Sequence, residues 1–286
     1  MAPRRTAPTI RLRRLAAELR RLRAASGLSR EDVAARTNID PATIYRIETA
    51  RARRPQKRTL LAILALYGVD EQTQSELIAL SREADRPGLL QPYTDELPGE
   101  YATYIGFEAE ARAIVNYESL FIPGLLQTED YARAVVVGTL PTATSEEVEH
   151  RVRARMERQA LLDQPDPPRF WAIVDEAALH RRVGGSDVMQ AQLARLAEAA
   201  VRPNITLQVI GFGAGAHPGM PGSYILLDFP DPADPAIVYI DSMAGDLFLE
   251  AEADIRRYRA ITDSLRAVAL GPTATLRLIN ELAASL

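Results

Sequence analysis

The sequence predicts a two-domain chain: an all-α unit over residues 1–83, a linker over 84–100, and an α+β unit over 101–286 built on a mostly antiparallel sheet. Three observations lead there. Residues 1–68 hold 16 Arg/Lys against 5 Asp/Glu, a net +11, whereas residues 69–286 hold 18 against 33, a net −15. Through the basic end, apolar residues recur every three or four positions, the period of an amphipathic helix. Beyond RPGLLQPYTDELPGE, with its three prolines and two glycines, helical runs mix with apolar runs of strand length.

The basic end reads as helices in close succession. In IRLRRLAAELRRLRAASGLS, Leu12, Leu15, Leu19 and Leu22 form one apolar face, and the helix should stop near Ser26-Gly27, where glycine accepts a left-handed cap. Ser29 with Asp32 three residues on makes a capping box for a second helix, and Val33 faces inward. That helix ends at Asn38, the non-glycine residue best able to take positive φ. Asp40 caps a third helix with Pro41 in its first position, and Ile44 and Ile47 supply the buried stripe. Helix, tight turn and helix within about 20 residues is the helix-turn-helix plan. TLLAILALYG closes the core with Leu60, Leu61, Leu64 and Tyr67, and residues 70–86 form one more helix.

SREDVAARTNIDPATIYRIETARARRP, Ser29 to Pro55, resembles the XRE (Cro and phage repressor) class of helix-turn-helix, a five-helix fold, without gaps over about residues 12–69. Asn38 and Ala50 stand where that class commonly has glycine. The resemblance implies that Ala42, Thr43, Tyr45, Arg46 and Thr49 face double-stranded DNA, while Arg30, Arg53, Arg54 and Lys57 hold phosphates. Arg46 is the expected reader, since a guanidinium can meet guanine O6 and N7 together. Arg23 and Glu48 match a buried ion pair of the class that joins its first and third helices. The basic tail before Ile10 could follow the DNA backbone, enter a minor groove, or be a disordered solubilising tail.

In the acidic remainder, helical periodicity runs through YATYIGFEAEARAIVNYE, an extended piece through SLFIPGLL, and helices through TEDYARAVVVG and SEEVEHRVRARMERQALL. Strands RFWAIVD and ITLQVIG flank the helix SDVMQAQLARLAEAA. SYILLDF, AIVYID and LFLE follow as strands, then two terminal helices. A mostly antiparallel sheet covered on one side is expected. GFGAGAHPGMPGS, Gly211 to Ser223, holds five glycines, two prolines and one of the chain's three histidines. It leads from strand to strand, so it is not a nucleotide loop, which runs from a strand into a helix. A flexible hairpin and a lid both remain open. His217, with Glu118, Asp175, Glu176 and Arg181, is the candidate ligand or partner site, against the plainer reading of each as a surface salt-bridge residue.

YIGFEAEA, FIPGLLQTEDYARA, DEAALHRRVGG and VIGFGAGAHPGMPGSYILLDFPDP together resemble the C-terminal domain of WhiJ-like, antitoxin-like regulators of sporulating filamentous bacteria, over about 95–285. The resemblance implies a regulator that accompanies a small partner protein behaving as a toxin or co-regulator. An enzyme is not expected. Glu176 and His180 lack the spacing of a zinc signature, and a triad drawn from His217, Ser223 or Ser242 and Asp241 lacks the nucleophile elbow. No cofactor or metal is expected.

The chain has no cysteine, which excludes disulfides and thiolate metal sites and suits a reducing cytoplasm. No apolar run approaches the ~20 residues of a membrane span, and MAPRRTAPTIRLRR lacks a signal-peptide core. The expectation is a cytoplasmic DNA-binding transcriptional regulator, a homodimer on a pseudo-palindromic operator, whose C-terminal domain senses a small molecule or binds a small protein. The alternative is an antitoxin-like protein that neutralises its partner and autoregulates. SEEVEHRVRARMERQALL is the candidate dimer helix.

Overall fold

The computed structural model describes residues 10–52, 55–83, 99–231, 234–242 and 245–286, and the chain divides into two compact units, Met1–Gln91 and Pro92–Leu286. The first unit holds α1 (Ile10–Ala25), α2 (Arg30–Thr37), α3 (Pro41–Glu48), α4 (Lys57–Leu66) and α5 (Glu71–Glu83). Leu12, Leu15 and Leu19 of α1 are buried with Val33, Ile44, Ile47, Leu60, Ile63, Leu64, Leu77 and Ile78 in one core. Leu61 and Tyr67 pack on its margin rather than inside it.

Local chemistry sets the boundaries between α1, α2 and α3. Gly27 takes φ 67° after α1, and Asn38 takes φ 53° after α2. Ser29 and Asp32 form the reciprocal capping box, and the Asp40 carboxylate accepts from the Ala42 amide at 3.1 Å. α3 is locked from beneath. Glu48, only 1% exposed, accepts from Arg23 Nε and Arg30 Nε at 2.6 Å each, and Arg20 donates to its carbonyl. A carboxylate so far from water persists only when matched by fixed cations.

The second unit opens with α6 (Gly99–Glu110) and β1 (Ala113–Glu118). One continuous helical run was expected over these residues; AIVNYE is instead the central strand. Its Ile114, Val115, Asn116 and Tyr117 are buried on both faces, which erases the alternation that betrays a half-exposed strand. SLFIPGLL, expected as an extended piece, forms no strand and ends in a 3-10 turn at Gly124–Leu126. The chain continues through α7 (Glu129–Thr139), α8 (Ser145–Arg158), β2 (Arg169–Asp175), α9 (Glu176–His180), α10 (Ser186–Ala199), β3 (Ile205–Ile210), β4 (Tyr224–Asp228), β5 (Ile237–Ile240), β6 (Leu247–Leu249), α11 (Glu252–Val268) and α12 (Pro272–Ala284).

The six strands lie in the order β3-β2-β1-β4-β5-β6. The sheet is mixed: three of its five pairings are antiparallel, while β1–β2 and β2–β3 are parallel and joined through helices. Both faces are covered, not one. Val115, Tyr117, Ile173, Ile210, Tyr224, Leu226 and Val238 pack against Leu265, Ile255, Tyr258 and Ile261 of α11. On the opposite face Tyr104 of α6 stacks on Tyr239 at 4.2 Å between ring centroids, and Phe107 meets Phe229 and Phe248 edge-on. The edge of β3 is sealed by the α11–α12 connection, where Leu270 N donates to Val209 O and Val209 N to Thr275 Oγ1.

α6 is tied to α8 by one buried ion pair. Arg158 donates Nε to Glu108 Oε2 at 2.7 Å and Nη2 to Oε1 at 2.8 Å, and its Nη1 reaches the Tyr101 hydroxyl. Burial opposes the guanidinium charge, and the Glu108 carboxylate more than reverses this, holding the Arg158 pKa well above its ordinary value. Arg158→Ala is expected to destabilise this unit by roughly 3–5 kcal/mol by stranding Glu108. Fluorescence of Trp171, the sole tryptophan, should report a lower urea midpoint with an unchanged slope. Replacing both partners with Met and Leu should recover most of the loss.

Candidate functional site

Two sets of residues carry chemistry, one in each unit. In the first, α2, the left-handed Asn38 and α3 present Ala42, Tyr45 and Arg46 to solvent, with Thr43 and Thr49 partly exposed and Lys57 exposed at the start of α4. Arg46 Nη2 donates to Thr43 Oγ1 at 3.0 Å, and the Thr49 hydroxyl turns back onto Tyr45 O. Arg30 is only partly available, because its Nε belongs to Glu48. Arg53 and Arg54 lie outside the described residues. Arg51, which the motif reading passed over, stands with its guanidinium carbon 5.4 Å from the centroid of the Tyr45 ring.

In the second unit, Gly211–Ser223 is not a hairpin. β3 and β4 are not neighbours, so the segment crosses the ends of β2 and β1, roughly 14 Å at the usual strand spacing. It is latched along the way. The Phe212 amide donates to Glu176 Oε2 at 2.7 Å, His217 Nε2 stands 3.3 Å from Asp175 Oδ2, and Ser223 Oγ accepts from the Ser119 amide at 3.1 Å. Between these latches Gly219 lies directly on Tyr117. A Cβ at that position would stand 2.5 Å from Tyr117 Cζ, so any side chain would force the ring aside.

The candidate residues thus gather where β1 and β2 end. Asp175 ends β2 and caps α9 through the Ala177 amide, and Glu176 also meets His180 Nε2 at 3.2 Å. The His217 side chain is 5% exposed, its ring edge-on to Tyr117. Its Nδ1 and the Tyr117 hydroxyl are both buried without a hydrogen-bond partner among the described residues. Glu118 ends β1, takes bonds from Ser223 and Asn116, and is pushed up to about 7, first by burial and further by the Asp241 charge. Arg181 is exposed after α9, and its charge, like those of Glu118 and Arg155, is felt at the buried Tyr131 hydroxyl. Tyr117 and Asn116 escaped the sequence reading because their strand was read as helix, and Ser119 lay in the segment read as an extended piece; Ser223 entered it only as a possible nucleophile. Among the described residues no group of three or more His, Asp or Glu could hold a metal ion, and no helix is long and apolar enough to cross a membrane.

The first unit is a helix-turn-helix domain, the architecture of a DNA-binding regulator: residues 14–77 match the family model described as "Helix-turn-helix domain". Residues 101–281 match "Domain of unknown function (DUF5753)", and the chain belongs to that family. No curated protein and no solved structure matches the chain significantly.

Two outcomes test the second site. Glu118 has a folded pKa near 7 against about 4.5 when unfolded, so the stability from its protonation is complete below about 4.5 and lost as pH rises to about 7. Glu118→Gln should therefore match the wild type near pH 4 and exceed it near pH 8 by up to about 3 kcal/mol in urea titrations. Gly219→Ala should lower stability by roughly 1–3 kcal/mol through overpacking. It should also speed hydrogen exchange at the Met220 and Gly222 amides, which donate to His217 O and Gly219 O.

Proposed function

We propose that the protein is a sequence-specific transcriptional regulator of the XRE type, binding double-stranded DNA through α3. The observation that carries this reading is the outward row Ala42, Tyr45 and Arg46 on a helix locked from beneath by Glu48. A single helix-turn-helix contacts one half-site, so the regulator acts as a homodimer on a pseudo-palindromic operator. Arg46 reads guanine, and Lys57 and Arg30 contact the backbone.

The second unit is the receiving domain of a WhiJ-like regulator and not an enzyme. Its strand order reverses between β1 and β4, and ligands of open α/β sheets bind beside the carboxyl ends of strands at such a point. Glu118 at the end of β1 lies at that point and Asp175, Glu176 and His217 at the end of the neighbouring β2, with Arg181 following α9, which supports a small-molecule effector site at Gly211–Ser223. An antitoxin-like role toward a small basic protein is the second reading. It is favoured by the net −15 of residues 69–286 and by Phe212 and Met220, 61% and 65% exposed on the latched loop. Footprinting upstream of the protein's own gene should give two protected half-sites about one helical turn apart. Arg46→Ala should cost about 1–3 kcal/mol at one base position per half-site. Unprotected DNA, or protection unaltered in Arg46→Ala, sinks the proposal.

A further inference from the structure

Resting on the DNA-binding reading, we infer that Arg51 and Arg30, both held against Tyr45, form a clamp for a single backbone phosphate, with Arg51 supplying its uncommitted charge. α3 ends at Glu48, and Ala50 then takes φ 53°, the left-handed region that a side chain disfavours. This turns the chain back on the helix it has left. The Arg51 and Ala52 amides both donate to Arg46 O, at 2.7 and 2.9 Å. The reversal brings the Arg51 guanidinium carbon to 5.4 Å from the Tyr45 centroid, and Arg30, from the start of α2, reaches 5.3 Å from the same ring.

Two like charges gathered round one exposed ring need a reason. The ring face attracts each cation, but it does not cancel their mutual repulsion. One charge is answered in part within the fold, since Arg30 donates to a Glu48 carboxylate that it shares with Arg23. The other is not: among the described residues no carboxylate stands within ion-pair distance of Arg51, which is exposed. The cluster therefore keeps positive charge in surplus, with Arg51 wholly unanswered among the described residues, beside a phenol that is 39% exposed on the recognition helix next to Arg46. Guanidinium N–H groups and a phenolic O–H are donors matched to a phosphate oxygen. A DNA phosphate beside the groove that α3 enters supplies the missing anion. Arg51, Tyr45 and Arg30 then set where α3 sits without reading sequence, and the left-handed Ala50 is the positioning device.

The test uses the full chain and a labelled non-specific duplex of about 30 base pairs, since a phosphate contact needs no operator. Binding is followed by fluorescence anisotropy between about 50 and 200 mM KCl. Arg51→Ala should flatten the slope of log K against log salt by about 0.9, the loss of one phosphate contact, with thermal unfolding unchanged. Arg51→Lys should restore the slope but only part of the affinity, because an ammonium stacks less well on the ring. Tyr45→Leu should weaken every duplex alike; selective loss on one sequence makes Tyr45 a base reader and overturns its place in the clamp. An Arg51→Ala line superimposable on a wild-type line that does bind overturns the clamp alone. A wild-type chain that binds no duplex at about 50 mM salt overturns the DNA-binding reading itself.

Discussion

A carboxylate removed from water has to be met by a cation held in place, and each unit of this protein is organised round one such carboxylate. Glu48, at the last residue of α3, receives Arg23 from α1 and Arg30 from α2. Glu108 on α6 receives both arms of Arg158 from α8. Neither pair is justified as a source of net stability, because desolvation consumes much of what the attraction returns. Their consequence is uniqueness of arrangement. A Glu48 matched from two directions admits only one rotation of α3 about its own axis, the one that turns Tyr45 and Arg46 outward and Ile44 and Ile47 inward.

In the second unit topology makes the site. Once β1, β2 and β3 run parallel and β4 pairs with β1 on its free side, the connection from β3 has to cross the carboxyl ends of two strands. A chain crossing there lies on whatever the strands end in, here Tyr117-Glu118 and Asp175-Glu176. The glycine content of Gly211–Ser223 follows from that contact: Gly219 is where backbone touches a buried ring, and Gly215 turns the chain at φ 65°. The same crossing partly buries Glu118 and leaves the Tyr117 hydroxyl and His217 Nδ1 without hydrogen-bond partners among the described residues.

What was legible in the sequence is what neighbours in the chain decide. The capping box of Ser29 and Asp32, the Asp40-Pro41 start and the left-handed Asn38 are local devices, and the first unit could be read from them. AIVNYE could not be read as a strand, because a strand buried on both faces shows neither the alternation of a half-exposed strand nor a clear helical period. The path of Gly211–Ser223 was hidden for another reason: which strands are neighbours is decided by side chains far apart in the chain. His217 and Glu118 were singled out as unusual residues in an unusual loop and segment, yet their latches to Asp175 and Ser223 belong to the crossing. Arg51 was lost in RARRP, where composition marks several arginines and only the turn at Ala50 distinguishes one.

The division of charge then acquires a physical meaning beyond the sum of −4. Of the 16 cations in the basic end, Arg23 and Arg30 are engaged by the Glu48 carboxylate, so these two are less free to meet an anionic partner. The remaining 218 residues, at −15, are repelled by a phosphate lattice. Non-specific affinity rests almost entirely on phosphate contacts, so an acidic unit on the same chain subtracts from it at every sequence alike. Base contacts of the kind proposed for Arg46 depend on direct geometry and would be reduced far less. On the proposed reading, an acidic companion thus lowers binding to bulk DNA more than it weakens discrimination, which would suit a regulator that must find one site among many. The cost is that the few outward cations near α3 have to be well placed, and Arg51 is placed by a strained turn rather than left to a flexible side chain.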